Sequence, residues 1–262
     1  MVHRVGMSRL RILVIPPHDL TRHPIPNRLY HVFSRLADKH EVCLFPFPKH
    51  PLAQRTKLRG RRLIEVYYDA IPAPGVASYY LLNYEKMRNA LRSVVPDEDV
   101  VFHANILPSR LAVSLCNKYG IPAIYDYLDH FPESAASYYN PKPLRLLTHV
   151  LVNKIVQENL RRSAAVVTPS HALRSSVKKF VASKPVYIIP NGVDENAFRP
   201  LPKERCREKL GLDLDARLLL FFGSWDSWLD FDPVYAAAKV LGCKFVVTGM
   251  SHSKLGQRQR EA

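Results

Sequence analysis

Residues 11–17 read RILVIPP, and Ile12 to Ile15 are all apolar. A strand with no polar alternation is covered on both faces, as strands inside a parallel sheet are. The next segment, NRLYHVFSRLADKH, sets Leu29, Val32, Phe33 and Leu36 on one helical face. EVCLFPF then supplies a second apolar run. Strand, helix, strand is a βαβ unit, so the chain is expected to be an α/β protein with a parallel sheet.

The alternation continues. ASYYLLNYEKMRNALRSV reads as a helix with Tyr80, Leu81, Tyr84, Met87, Leu91 and Val94 on one face. DVVFHA is a strand, LPSRLAVSLCNKYG a helix closed by Gly120, and IPAIYDYLD a strand running into a loop. PLRLLTHVLVNKIVQENLRRS is a long helix with Leu144, Leu147, Leu151 and Ile155 spaced for one apolar face. AAVVTPS is a strand whose Ser170 caps HALRSSVKKFV, and PVYIIP is a further strand. In KPVYIIPNGVDENAFRP, Asn191-Gly192 is expected to turn the chain and Asp194 to cap a short helical turn. Beyond it come the helix PKERCREKLGL, the strand ARLLLFFGSW, the helix DPVYAAAKVLG and the strand CKFVVTG. The expected organisation is a Rossmann-like domain over 9–190, then a second over 191–262 that starts and does not finish. Two strands and one long helix do not cover both faces of a parallel sheet.

Charge divides at the same place. Residues 1–190 hold 27 Lys/Arg against 13 Asp/Glu, and residues 191–262 hold 11 against 10, within a net charge of +15. A basic surface attracts nucleic acid, anionic lipid or phosphorylated small molecules. Nucleic acid is the weakest of these, since no helix-turn-helix or aromatic-basic platform is present. The run 49–62 contains six Lys/Arg and no acid, and is read as a contact for anionic membrane. No apolar run approaches the ~20 residues that span a bilayer. The four cysteines have no Cys-x-x-Cys spacing, which leaves structural zinc and redox pairs without support and suits a reducing, cytoplasmic setting. Glycine is scarce (10) and proline abundant (21), so composition promises no glycine-rich phosphate loop.

Four stretches carry a resemblance: SAAVVTPSHALRSSV, KPVYIIPNGVDENAFRP, LLFFGSWDSWLDFDPVYAAAKVL and CKFVVTG. In this order they resemble the family 4 glycosyltransferases of the GT-B fold, over about residues 9 to 249. The resemblance implies two Rossmann-like domains facing across a cleft, with acceptor on the first and donor on the second. It implies sugar transfer from a nucleotide-activated donor to a glycan or lipid-linked acceptor, without a metal or other cofactor. The sequence departs from the family in three places. The first loop, PPHDLTRHPIPNR, has no glycine, and Arg22, His23 and Arg28 supply charge there instead. The nearest basic residue after the second strand of the later domain is Lys254. The Glu-x7-Glu donor motif is absent. A truncated product, half of a split enzyme completed by a second chain, and a non-catalytic remnant are therefore all carried as expectations beside an active enzyme. The expected place is the cytoplasm, peripheral on the inner membrane face.

Candidate chemistry gathers at strand ends, where open α/β sheets bind ligands. YDYLDHFPE holds Asp126, Asp129 and His130. Asp129, then Asp126, is expected as the base or acceptor contact. Two carboxylates and a histidine also suit a divalent cation in principle, but the spacing matches no metal-ligand pattern. His18, Arg22, His103, Asn105 and His130 are expected on the acceptor side. Gly223, Trp225 and Lys254 are expected on the donor side, Gly223 by letting backbone N–H groups approach a diphosphate.

Overall fold

The structure, a computed structural model, describes residues 9–17, 28–45, 63–66, 68–73, 76–222 and 229–248. The chain divides into two compact units, Met1–Gly192 and Val193–Ala262.

In the first unit the strands are β1 (Arg11–Ile15), β2 (Glu41–Leu44), β3 (Leu63–Glu65), β4 (Val100–His103), β5 (Ala123–Asp126), β6 (Ala165–Thr168) and β7 (Val186–Ile188). Between them run α1 (Arg28–Leu36), α2 (Val76–Val94), α3 (Leu107–Tyr119), α4 (Phe131–Ser137), α5 (Lys142–Arg162) and α6 (His171–Phe180). The sheet order is β3-β2-β1-β4-β5-β6-β7, and every pairing is parallel. The fold is thus α/β and Rossmann-like. The chain leaves β1 in one direction for β2 and β3, then returns to its other side with β4, which makes the β1–β4 border the switch point of the sheet.

The apolar run of β1 is buried on both faces as its pattern requires. Ile12 and Val14 pack with Leu29 and Phe33 of α1. Leu13 and Ile15 pack on the opposite side with Met87 and Leu91 of α2 and Leu111 of α3. Each such residue, fully buried, contributes roughly 1.5–3 kcal/mol of transfer free energy. A separate cluster unites Tyr125 and Val166 with Val152, Val156 and Leu160 of α5 and Leu173 and Val177 of α6. Gly120 closes α3 in the left-handed region at φ 73°, where a side chain would be strained. Ser170 caps α6, its Oγ accepting from Leu173 N at 3.3 Å.

Three expectations are corrected. In α2 the buried stripe is Tyr79, Asn83, Met87 and Leu91, while Leu81 stands 79 % exposed. Asn83 draws the helix round: its Oδ1 accepts from Ile71 N at 2.7 Å and its Nδ2 donates to Ile71 O at 2.9 Å. In α5 the expected apolar face points outward, and Val152, Val156 and Leu160 form the buried one. Nor does Asn191-Gly192 form a turn: Gly192 has no positive φ, and the turn lies at 195–198. Asp194 does cap it, its Oδ1 accepting from Asn196 N at 3.0 Å.

The second unit contains α7 (Lys203–Leu210), β8 (Leu218–Phe222), α8 (Asp232–Val240) and β9 (Lys244–Thr248), with β8 and β9 parallel. Phe221 meets Phe231 edge-on at 5.0 Å. The other side of β8 leaves Leu220 and Phe222 exposed.

Candidate functional site

All seven strands of the first sheet run the same way, so their C-terminal ends collect on one edge. The β1–β4 switch point and the YDYLDHFPE loop both open there. Three sets of contacts build this edge.

Arg28, the first residue of α1, reaches over the strand ends. Its Nη2 donates to both carboxylate oxygens of Asp126 at the end of β5, and its Nη1 donates to Ile189 O, just past β7, at 2.7 Å. The Arg28 side chain is 11 % exposed and that of Asp126 wholly buried. Burial raises the Asp126 carboxyl above its ordinary range, and the guanidinium offsets this by hydrogen bonding and charge. One side chain thereby ties the first helix to the ends of two distant strands.

Asn105 follows β4. It donates from Nδ2 to Pro16 O at 2.8 Å, bridging the switch point, and from its backbone N to Ser109 Oγ at 2.8 Å. Its Oδ1 accepts from Ile106 N at 2.7 Å and from the Tyr80 hydroxyl.

His103 lies one layer deeper. Its ring stacks on Tyr125 at 4.8 Å, across the β4–β5 register, and its Nε2 sits 3.0 Å from Ser163 Oγ. Ser163 Oγ already donates to Asn159 O at 2.7 Å, so Nε2 carries the proton and donates to Ser163. Burial pushes the imidazole down to about 3, so it is neutral at physiological pH.

Asp129 and His130 come to the surface above this base. Asp129 Oδ1 accepts from His130 N at 2.7 Å, which fixes the carboxylate on its loop. The His130 ring meets Tyr127 edge-on at 6.2 Å, and Tyr127 is buried beneath it. An exposed carboxylate beside an exposed imidazole, on a loop rooted in a buried ion pair, can take a proton from an incoming hydroxyl or hold it by hydrogen bonding.

The edge therefore sorts the expected residues by depth. Asp129 and His130 are accessible. Asp126 is not a second base facing a substrate, since Arg28 occupies both its oxygens. His103 and Asn105 are 0 % and 2 % exposed and do not reach an acceptor; the first belongs to the core and the second braces the switch point. Arg28 was readable as local charge but not as the partner of Asp126. Tyr80, with Tyr79 and Tyr84, was readable as an interfacial or acceptor surface or, from helical spacing, as core; its hydroxyl contact with Asn105 was not readable. His18, Arg22, Gly223, Trp225, Lys254 and the basic run 49–62 lie outside the described residues. Among the described residues, no three His, Cys, Asp or Glu side chains converge as a metal-binding group, and no helix is long and apolar enough to cross a membrane.

Comparison with known proteins adds to this geometry. The family model described as Glycosyltransferase Family 4 matches residues 25–197. No curated protein sequence matches the chain. Among solved structures, the chain is similar to sucrose-phosphate synthase from Thermosynechococcus elongatus, with TM-score 0.62 and 13 % identity over 93 % of this chain and 71 % of that one. It is similar to HepE from Anabaena in complex with UDP-glucose, with TM-score 0.59 and 13 % identity over 97 % of this chain and 65 % of that one. A UGT transferase from Siraitia grosvenorii in complex with UDP gives TM-score 0.50 and 13 % identity over 92 % and 65 %. These likenesses describe the fold, and the chain spans about two thirds of the length of the structures it matches.

Proposed function

The chain belongs to Glycosyltransferase Family 4, with a GT-B-like α/β fold, and on that premise we propose that it acts in sugar transfer from a nucleotide-activated donor to a glycan or lipid-linked acceptor. The first unit holds the acceptor and the second takes part in holding the donor. Asp129 is the catalytic residue. As the acceptor oxygen bonds to the anomeric carbon and the bond to the diphosphate breaks, the acceptor proton passes to its carboxylate. His130 orients the acceptor. Arg28, Asp126 and Asn105 are positioning residues. The observation that carries this reading is the exposed Asp129–His130 pair at the strand-end edge, within the matched region and rooted in the Arg28–Asp126 pair. His18 and Arg22 on the acceptor side, and Gly223, Trp225 and Lys254 on the donor side, complete the proposal.

The test is transfer from a panel of nucleotide sugars to glycan and lipid-linked acceptors. Asp129→Asn is expected to lower kcat by roughly 10²–10⁴-fold with the melting temperature unchanged. Unchanged turnover in that variant removes Asp129 from the chemistry. Transfer that persists in EDTA is expected of a metal-free enzyme. A second reading is kept for the same assay: a second polypeptide completes the donor side, or the chain binds without catalysis. A donor-dependent thermal shift in the chain alone argues against the first, and donor-dependent transfer by the chain alone argues against the second. The setting proposed is cytoplasmic and peripheral to the membrane.

A further inference from the structure

Helix α5 is longer than its neighbours need. Its 21 residues span about 31 Å, whereas the four-residue strands β5 and β6 that it connects span about 13 Å. The side chains that pack on the sheet, Val152, Val156 and Leu160, all come from its second half. The chain enters α5 from the C-terminal end of β5, through α4, and leaves it to start β6. Its first half therefore lies towards the strand-end edge that carries Asp129 and His130. There α4 covers the inner side, and His149 Nε2 lies 3.4 Å from Glu133 Oε1. The outer side carries Leu146, Leu147 and Leu151, which are 66 %, 54 % and 51 % exposed, with Leu144 and Val150 half exposed beside them.

No Asp or Glu occurs from 134 to 157, so the leucine half of that side carries no acid. At the helical repeat of 100° per residue, the outward leucines continue into Lys154, Gln157, Glu158, Arg161 and Arg162. These five residues line an open depression of ≈ 350 Å³. Glu158 pairs with Arg162 and with Arg110 of α3. Counting those two arginines with Lys154 and Arg161, four cations stand against one carboxylate. One face of one helix is thus apolar for its first half and basic for its second. Sheet packing accounts for neither half.

We propose that this face of α5 is an interfacial docking surface for an anionic lipid bilayer. The leucines sink into the boundary of the acyl chains, and Lys154, Arg161 and Arg162 meet the headgroup phosphates. The charge pattern selects this occupant: an apolar stripe that continues into cations complements a layer of negative charge over hydrocarbon. The surface deepens the lipid-linked branch of the functional reading, because it presents the Asp129 edge towards the membrane.

The test is co-sedimentation of the full chain with vesicles of phosphatidylcholine alone or with about 30 % phosphatidylglycerol, without sugar donor. Binding to the anionic vesicles is expected to be at least about tenfold tighter and to weaken with salt. The triple variant Leu146→Asn, Leu147→Asn, Leu151→Asn is expected to lose about tenfold or more of that binding. Its leucines are exposed, so its melting temperature should match the parent. Lys154→Gln with Arg161→Gln is expected to weaken binding and flatten its salt dependence. Absence of binding by the parent chain overturns the proposal, as does equal binding by the triple variant. A leucine-dependent dimer without vesicle binding overturns it in favour of a second copy. Abolition of binding by Lys57→Gln, Arg59→Gln, Arg61→Gln, Arg62→Gln, with no effect of the α5 variants, overturns it in favour of the basic run. Vesicle binding needs neither donor nor turnover, so a failure here leaves the sugar-transfer reading standing, and a failure of transfer leaves vesicle binding to be read on its own.

Discussion

Arg28 and Asp126 show how one buried pair sets the geometry of an exposed site. Both are withdrawn from water, and their mutual attraction offsets a desolvation cost of several kcal/mol per ion. Removing either partner alone leaves an uncompensated buried charge. Arg28→Ala is expected to cost about 3–5 kcal/mol in urea unfolding, while Arg28→Met with Asp126→Leu recovers most of that. Equal loss in the single and double variants argues against the pair. His103 makes a separate prediction in pH. Its folded value is depressed to about 3, so the unfolded chain takes up the proton first as pH falls. The stability it supports is fully present above about pH 6.5 and is lost progressively down to about pH 3. His103→Gln is expected to reduce the slope of melting temperature against pH in that window, and NMR of the parent should show an imidazole that does not titrate between pH 5 and 8. Composition made YDYLDHFPE readable as a cluster of acids and a histidine at a strand end. Local spacing did not reveal which acid was taken, because the partner of Asp126 lies 98 residues earlier in the chain.

Helices and strands were legible to the extent that burial alone dictates their pattern. β1 was read from its apolar run, and α6 from its cap at Ser170. β3, at three residues on the sheet edge, is too short to show a period. The faces of α2 and α5 were misread for one reason. Apolar spacing locates a stripe but does not say whether anything covers it. In α2 the stripe turns because Asn83, a polar residue, is buried to satisfy Ile71. Asn83→Ala leaves the Ile71 N–H and C=O without that partner and is expected to cost about 1–3 kcal/mol. Leu81→Ala, on the exposed side, is expected to stay within about 0.5 kcal/mol. Chemical denaturation of the two variants checks both, and the opposite order of effects restores the face read from spacing. In α5 the misread stripe is the outward leucine face, so the error and the proposed docking surface have the same origin.

At the scale of the whole chain, two units imply a boundary that a protease can find. Residues 191–205 are exposed throughout, with Glu195 opening the turn at 195–198. Among the described residues of the first unit, Glu41, Glu65, Glu85 and Glu158 lie in strands or helices, Glu98 is buried, and Glu133 sits in α4. Residues 46–62 contain no glutamate. A glutamate-specific protease is therefore expected to cut first after Glu195 and to release a fragment of residues 1–195. That fragment keeps the seven-stranded sheet with its three clusters, so it should melt cooperatively. It also keeps Arg28, Asp126, Asp129 and the whole of α5. If the first unit carries the acceptor and membrane functions, the fragment should retain vesicle binding and lose any donor-dependent thermal shift that the full chain shows. An early cut inside the seven-stranded unit, or a fragment that unfolds on release, places the boundary elsewhere. A donor shift that survives in the fragment moves the donor site onto the first unit and reverses the division of labour between the two.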